Sequence, residues 1–280
     1  VYIDPQKIRN ILKNNTGEMQ TSPKYIEYIK PTKKLALIIG NSKYKDENVE
    51  SLENPVNDAN AIEAKLKSLD FEVMKGLDME RTSQNNIIRA FGDKARREKY
   101  DVALFFYAGH GVQVDGKNYL IPVDARHVDQ DNSESSNKGQ IRDDCTSVND
   151  VVLSSMKETN CKVKIMILDA CRNNPLEAED DSGRGMGNSK NGGLATMSAE
   201  GGFLIAFSTA PGKKAQDVSD NGNNSPYTTV LLSKLDEKNM NLLQFFNAVN
   251  AEVEKNTHGK QTPWINFSHI DDNFSLNNKK

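Results

Sequence analysis

Cysteine is scarce in this sequence. There are three, Cys145, Cys161 and Cys171, and no two form a C-x-x-C pair. An odd count without that spacing argues against a disulfide framework and a thiolate zinc cage. It fits a reducing compartment, with the cytoplasm favoured, and leaves a thiol free to act as a nucleophile. An excess of charge is also lacking: 36 basic residues stand against 39 acidic, a net charge of −3. Such a surface offers no basic field for nucleic acid or an anionic membrane, so neither is expected as a partner. No apolar run approaches the roughly 20 residues that span a bilayer. No signal-peptide pattern opens the sequence, which starts at Val1 rather than Met. A phosphate-binding glycine loop is missing too. Gly183-Arg-Gly-Met-Gly187 has Asn188 where a third dinucleotide-loop glycine would stand, and no strand precedes it.

What is present suits an α/β domain. Hydrophobic residues make up 36% of the 280 and charged residues 27%, enough for a sizeable core. Lys34–Gly40, Val102–Tyr107, Val163–Leu168 and Phe203–Phe207 are apolar runs with flanking punctuation, the signature of strands buried on both faces. Phe71–Met74 is a shorter strand. Between them lie helical patterns: 57–69 with Ile62, Leu66 and Leu69 on one face, and one capped by Thr82 with Ile87, Ile88, Phe91 and Ala95 inward. Ser147 caps a third helix through Met156. Pro226 opens a fourth after Ser225, and 242–254 a fifth. Alternating strands and helices predict a mostly parallel central sheet with helices on both faces. Residues 1–33 read as an N-terminal arm or pro-segment and 34–274 as the main domain. The glycine-rich, acidic stretch 176–201 reads as a mobile linker and 275–280 as a disordered tail.

In such sheets, sites form beyond the carboxyl ends of the strands. Two ends carry reactive side chains, with His110 following the 102–107 strand and Cys171 the 163–168 strand. A cysteine or a histidine alone at such a place is more often structural. Together, at equivalent ends, they read as a nucleophilic thiol and the imidazole that takes its proton. Glycines flank His110. The backbone N–H groups of Gly111 and Cys171 are the candidate oxyanion donors. His127, His258 and His269 lack such a setting and read as surface residues.

Tyr107-Ala-Gly-His-Gly111 and Asp169-Ala-Cys-Arg-Asn173 resemble the histidine and cysteine motifs of the caspase-like peptidase superfamily. The catalytic pair here is 61 residues apart, against about 50 in caspases. The resemblance runs from about Lys34 to Phe274 and includes Tyr119–Asp124 and Phe207–Ala210. It implies a caspase-haemoglobinase-like sandwich. Caspases carry glutamine two residues before the nucleophile; Asp169 stands there instead. Asn57-Asp58 resembles the metacaspase Asn-Asp pair, and Asp217 an acidic pocket residue of paracaspases. The chain is therefore similar to the metacaspase, paracaspase and bacterial orthocaspase branch. That resemblance implies an S1 pocket of Asp58, Asp169 and Asp217 beside Ala108, and cleavage of protein or peptide substrates after Arg or Lys. It also implies substrate backbone pairing along Ser208, Thr209 and Ala210, and self-processing in the linker at Arg184 or Lys190. Metacaspases often bind calcium. Asp143-Asp144 match their paired aspartates and Asp124 lies near a third, while Ala178 fills the place of the fourth. Calcium is thus a candidate cofactor, with none required by the dyad. The resemblance to metacaspases implies a monomer. The rival reading is a catalytically inactive caspase-like scaffold that binds partners; a clostripain-type peptidase is a further one.

Overall fold

The computed structural model describes residues 32–47, 49–126, 134–171, 194, 197, 201–210, 215–217, 219, 223–268 and 274–277, with the backbone alone at 134–137 and Cys171. All belong to one unit, Thr32–Lys280. The arm expected over 1–33 lies outside the described residues except for Thr32 and Lys33, as does most of the linker.

The strands are β1 (Lys34–Gly40), β2 (Phe71–Leu77), β3 (Val102–Val114), β4 (Lys117–Leu120), β5 (Thr146–Ser147), β6 (Val163–Cys171), β7 (Phe203–Phe207) and β8 (Trp264–Phe267). The main sheet has the order β2–β1–β3–β6–β7–β8, all parallel except β8, which runs antiparallel to β7. The helices are α1 (Pro55–Ser68), α2 (Arg81–Arg97), α3 (Glu134–Asp144), α4 (Ser154–Lys157), α5 (Pro226–Lys234) and α6 (Leu242–Asn256); a π-helical turn, Val148–Leu153, leads into α4. Mostly parallel strands between helices give the α/β sandwich expected.

Period-two alternation in the strands divides the core in two. Ala36, Ile38, Leu104, Phe106, Ile165, Ile167 and Ala206 face α1, α5 and α6, meeting Ile62, Leu66, Tyr227, Phe246 and Val249. Leu35, Leu37, Phe105, Tyr107, Met166 and Ile205 face the other way, onto Ile88 and Phe91 of α2 and Val152 and Met156 beside it. Each large side chain so buried contributes about 1.5–3 kcal/mol. A strand with helices on both faces must be apolar at every position, which is why the runs are continuous.

The structure revises several local expectations. β3 does not stop at Tyr107; it continues through His110 and turns back as a hairpin with β4. Thr82 does not cap α2. The helix begins at Arg81, whose N–H donates to Asp124 Oδ1 at 2.8 Å. Ser147 does cap, accepting from Asp150 N at 3.0 Å, but it opens the π-helical turn. The tail expected over 275–280 is ordered at its start. Leu276 is buried against the α1, α5 and α6 layer, and Asn277 Nδ2 donates to Leu235 O at 3.0 Å. The linker expected to be mobile over 176–201 has Leu194 and Met197 buried in the opposite layer. In both places an apolar residue within a polar stretch found the core. Among the described residues no helix is long and apolar enough to cross a membrane.

Candidate active site

The site sits where the two central strands end. β3 and β6 pair in parallel register from Val102↔Val163 to His110↔Cys171. The two motif residues, 61 apart in sequence, are therefore direct neighbours across the sheet. One residue later the partner of β3 changes, with Gly111 pairing to Leu120 of β4. Gly111, a candidate oxyanion donor with Cys171, thus stands where the chain leaves the main sheet. Gly109 has φ +150°, and a Cβ there would lie 2.7 Å from Tyr107 Oη. Only glycine lets the strand bend past the tyrosine at this point.

His110 is held on three sides. Its Nε2 lies 2.7 Å from Glu50 O, its backbone N–H donates to Tyr44 Oη at 2.8 Å, and its ring centroid is 4.8 Å from that of Tyr44. A carbonyl only accepts, so Nε2 carries the proton and Nδ1 keeps its lone pair. Burial pushes the imidazole pKa below its usual value; Glu50 and Asp217 oppose this. A neutral ring with a free Nδ1 can take a proton near pH 7.

The three pocket aspartates come from three separate segments. Asp169 is two residues before Cys171 on β6, opposite Ala108 of β3. Asp58 is in the first turn of α1 and buried. Asp217 lies in the stretch after β7, where its Oδ2 accepts from Glu53 N at 2.7 Å and its carbonyl from Asn54 Nδ2 at 2.8 Å. The structure brings all three within electrostatic reach of one another. Burial first, then Asp169, raises the Asp58 carboxyl to about 8, and Asp217 adds to this. Burial likewise raises Asp169, against hydrogen bonds from Ser225 and Thr228. Among the described residues no Lys or Arg forms an ion pair with any of them. The hydroxyls of Thr209 and Tyr227 are buried without a hydrogen-bond partner; the Ser208 hydroxyl faces Asp169, and the Tyr227 phenol feels Asp169.

Ser208 is tied into the fold. Its N–H donates to Leu168 O at 3.0 Å and its carbonyl accepts from Gln261 Nε2 at 2.8 Å. Both main-chain groups thus have partners within the protein, which leaves the second lone pair of the carbonyl for any substrate contact at Ser208. Thr209 and Ala210 follow it. Arg184 and Lys190 lie outside the described residues.

Asp124, Asp143 and Asp144 do not make a calcium cage. Asp124 and Asp144 line a shared cavity, but with Arg81, Thr82, Arg126 and Gln140. Asp124 Oδ1 is taken by Arg81 N, and Asp144 Oδ2 by Gln140 Nε2 at 2.7 Å. Asp143 is absent from that cavity's lining. Two guanidinium groups beside two carboxylates do not suit a hard dication that needs six to eight oxygens. No acidic or His/Cys trio able to hold a metal occurs among the described residues.

Sequence reasoning missed the residues that hold the site. Tyr44 and the Glu50 carbonyl lie in the loop after β1 and gave no signal. Ser225 was legible as a helix cap but not as a donor to Asp169.

An α/β sandwich with a cysteine and a histidine paired at the ends of its two central strands is the architecture of a caspase-type peptidase. The chain belongs to the caspase domain family, whose model matches residues 33–275. It falls on the metacaspase and paracaspase side of the caspase-like superfamily, as its motifs imply. It is 27% identical over 159 residues to the mucosa-associated lymphoid tissue lymphoma translocation protein 1 of Homo sapiens, which covers 57% of this chain and 17% of that protein. Against the Mus musculus homolog it is 29% identical over 139 residues, 50% of this chain and 15% of the relative. The chain thus spans under a fifth of the length of these curated relatives.

Proposed function

We propose that this protein is a cysteine endopeptidase that cleaves after arginine or lysine, with Cys171 as nucleophile and His110 as base. The register His110↔Cys171, beside three carboxylates that lack an internal cation, supports this reading most strongly. Nδ1 of neutral His110 takes the thiol proton, and the thiolate attacks the scissile carbonyl carbon. The carbonyl π electrons move to oxygen, which the Gly111 and Cys171 N–H groups receive. Collapse breaks the C–N bond, His110 gives its proton to the leaving amine, and a thioester remains. Water, losing a proton to His110, then releases the acid and the thiol. Glu50 O fixes the tautomer throughout.

The pocket selects the substrate. A desolvated cluster of carboxylates is stabilised by one cation, and a guanidinium meets two carboxylates with two pairs of N–H donors. Substrate backbone runs beside Thr209 and Ala210. Self-processing at Arg184 or Lys190 and a monomeric state complete the reading; an Arg184→Ala, Lys190→Ala variant still cut in the same loop would overturn the self-processing part.

The test is a panel of fluorogenic peptides with Arg, Lys, Asp or Leu before the scissile bond, run beside Cys171→Ala. Turnover of Arg or Lys peptides that vanishes in the variant is expected. Preferential cleavage after Asp would overturn the pocket, and no turnover at all would favour a catalytically inactive scaffold.

A further inference from the structure

The two deepest pocket carboxylates are anchored by a single short stretch of chain. Asp58 Oδ1 accepts from Asn224 Nδ2 at 2.8 Å and from Ser225 N at 3.1 Å. Asp169 Oδ2 accepts from Ser225 Oγ at 2.5 Å and from Thr228 Oγ1 at 2.8 Å. Ser225 therefore touches both acids at once, through its backbone and through its side chain. Its Oγ also accepts from Thr228 N at 3.0 Å, capping α5. Among the described residues these donors all fall on one oxygen of each carboxylate. The anchoring leaves Asp58 Oδ2 for a ligand, while the Ser208 hydroxyl also reaches Asp169.

We propose that Ser225, assisted by Asn224 and Thr228, is the positioning residue of the S1 pocket, locking Asp58 and Asp169 in the orientation that receives a basic side chain. This rests on the pocket reading above. Ser225 does not meet the substrate; it acts through the acids. Two carboxylates brought this close repel, and each would rotate or protonate to escape the other. Donors fixed at the start of a helix, where the backbone dipole is positive, oppose both escapes. A hydroxyl donating to a charged acceptor is a strong hydrogen bond, and removing one weakens an equilibrium about tenfold or more. The groups facing the pair are Asp217 on both acids, and Tyr227 and the Ser208 hydroxyl on Asp169. None of them donates to both acids, as Ser225 does.

The experiment compares Ser225→Ala, Ser225→Thr and Thr228→Val with the parent. Two readouts are used: KM and kcat on Arg peptides, and carboxyl-carbon NMR titration of Asp58 and Asp169 without substrate. Thr228→Val removes a hydroxyl while sparing the Ser225 cap. Positioning predicts that Ser225→Ala raises KM about tenfold or more, with kcat within about twofold. It also predicts that the Asp169 carboxyl, which loses the Ser225 hydroxyl, titrates at higher pH. Thr228→Val does the same more weakly, and Ser225→Thr restores the parent. Loss of thermal stability in Ser225→Ala with unchanged KM and unchanged titration would make Ser225 only a cap and overturn the proposal. The titration needs no turnover. A parent that ignores basic peptides therefore refutes the peptidase reading alone, while the NMR arm still decides the role of Ser225.

Discussion

Two sets of aspartates stand out in this chain, and the fold treats them oppositely. Asp58 and Asp169 are buried, with Asp217 half-buried in electrostatic reach of both, and every donor they meet is neutral: backbone N–H groups, an amide and hydroxyls. Asp124 and Asp144 meet in a cavity where Arg81 and Arg126 stand beside them. The second set is lined by cations of the chain itself. The first is not, and burial with mutual repulsion keeps it so. A buried pair of carboxyls without a cation is costly to ionise, and Asp58 accordingly holds its proton up to about pH 8. Its retention fits a site that waits for a cation from outside, whereas the outer set fits a structural role.

The sharpest way to break this contrast is Asp169→Asn. Removing one partner of a buried charge pair costs ~3 kcal/mol, so kcat/KM on Arg peptides should fall about a hundredfold or more. Labelling of Cys171 by an uncharged haloacetamide should survive. Unchanged kcat/KM would show that the inner set is not a cation pocket. The pH dependence comes next. With Asp58 at about 8 in the empty protein, a bound guanidinium must drive off its proton below that pH. KM for Arg peptides should therefore improve as pH rises from 6 to about 8 and level off above it. Asp58→Asn should remove this limb. A KM that is flat with pH in the parent would refute it.

A smaller effect follows on stability. The Asp58 carboxyl is raised from 3.8 to about 8 on folding. Its contribution is most favourable below pH about 4, is lost as pH rises, and is fully lost above about 8. Asn does not titrate, and its carbonyl can keep the bonds from Asn224 and Ser225. Asp58→Asn should thus gain Tm relative to the parent as pH rises from 5 to 9. Each kcal/mol is worth about 2–4 °C at this size. A difference in Tm that stays constant across that range would deny the buried penalty.

Much of this was legible in the sequence because the sheet is parallel and covered on both faces. Continuous apolar runs named β1, β3, β6 and β7, and the ends of β3 and β6 named His110 and Cys171. Motif resemblance then gathered Asp58, Asp169 and Asp217, three residues that no local pattern links. What escaped was non-local. Glu50 acts through a carbonyl, which carries no residue identity. Ser225 satisfies the cap rule whether or not it also faces an acid. Leu276 sits in an asparagine-rich end whose composition concealed one apolar anchor. Acidity alone did not reveal that Asp124 and Asp144 share a cavity with Arg126, two residues after Asp124, and with Arg81, from the start of α2.

That cavity supplies the gentlest test of the contrast. Asp144 donates nothing to the inner pocket; its Oδ2 accepts from Gln140 on the same helix, and the residue is partly exposed. If the outer set is compensated internally, Asp144→Asn removes one carboxylate from a site that two guanidiniums already neutralise. Surface substitutions of this kind usually stay within about 0.5 kcal/mol. The ratio of kcat/KM with calcium to that without should then match the parent's to within about twofold. A true carboxylate cage behaves differently, since losing one of its few charged oxygens weakens a hard-ion site steeply. Loss of a calcium response in Asp144→Asn, with the inner pocket untouched, would mean that the arginines swing away and that the outer set binds metal after all.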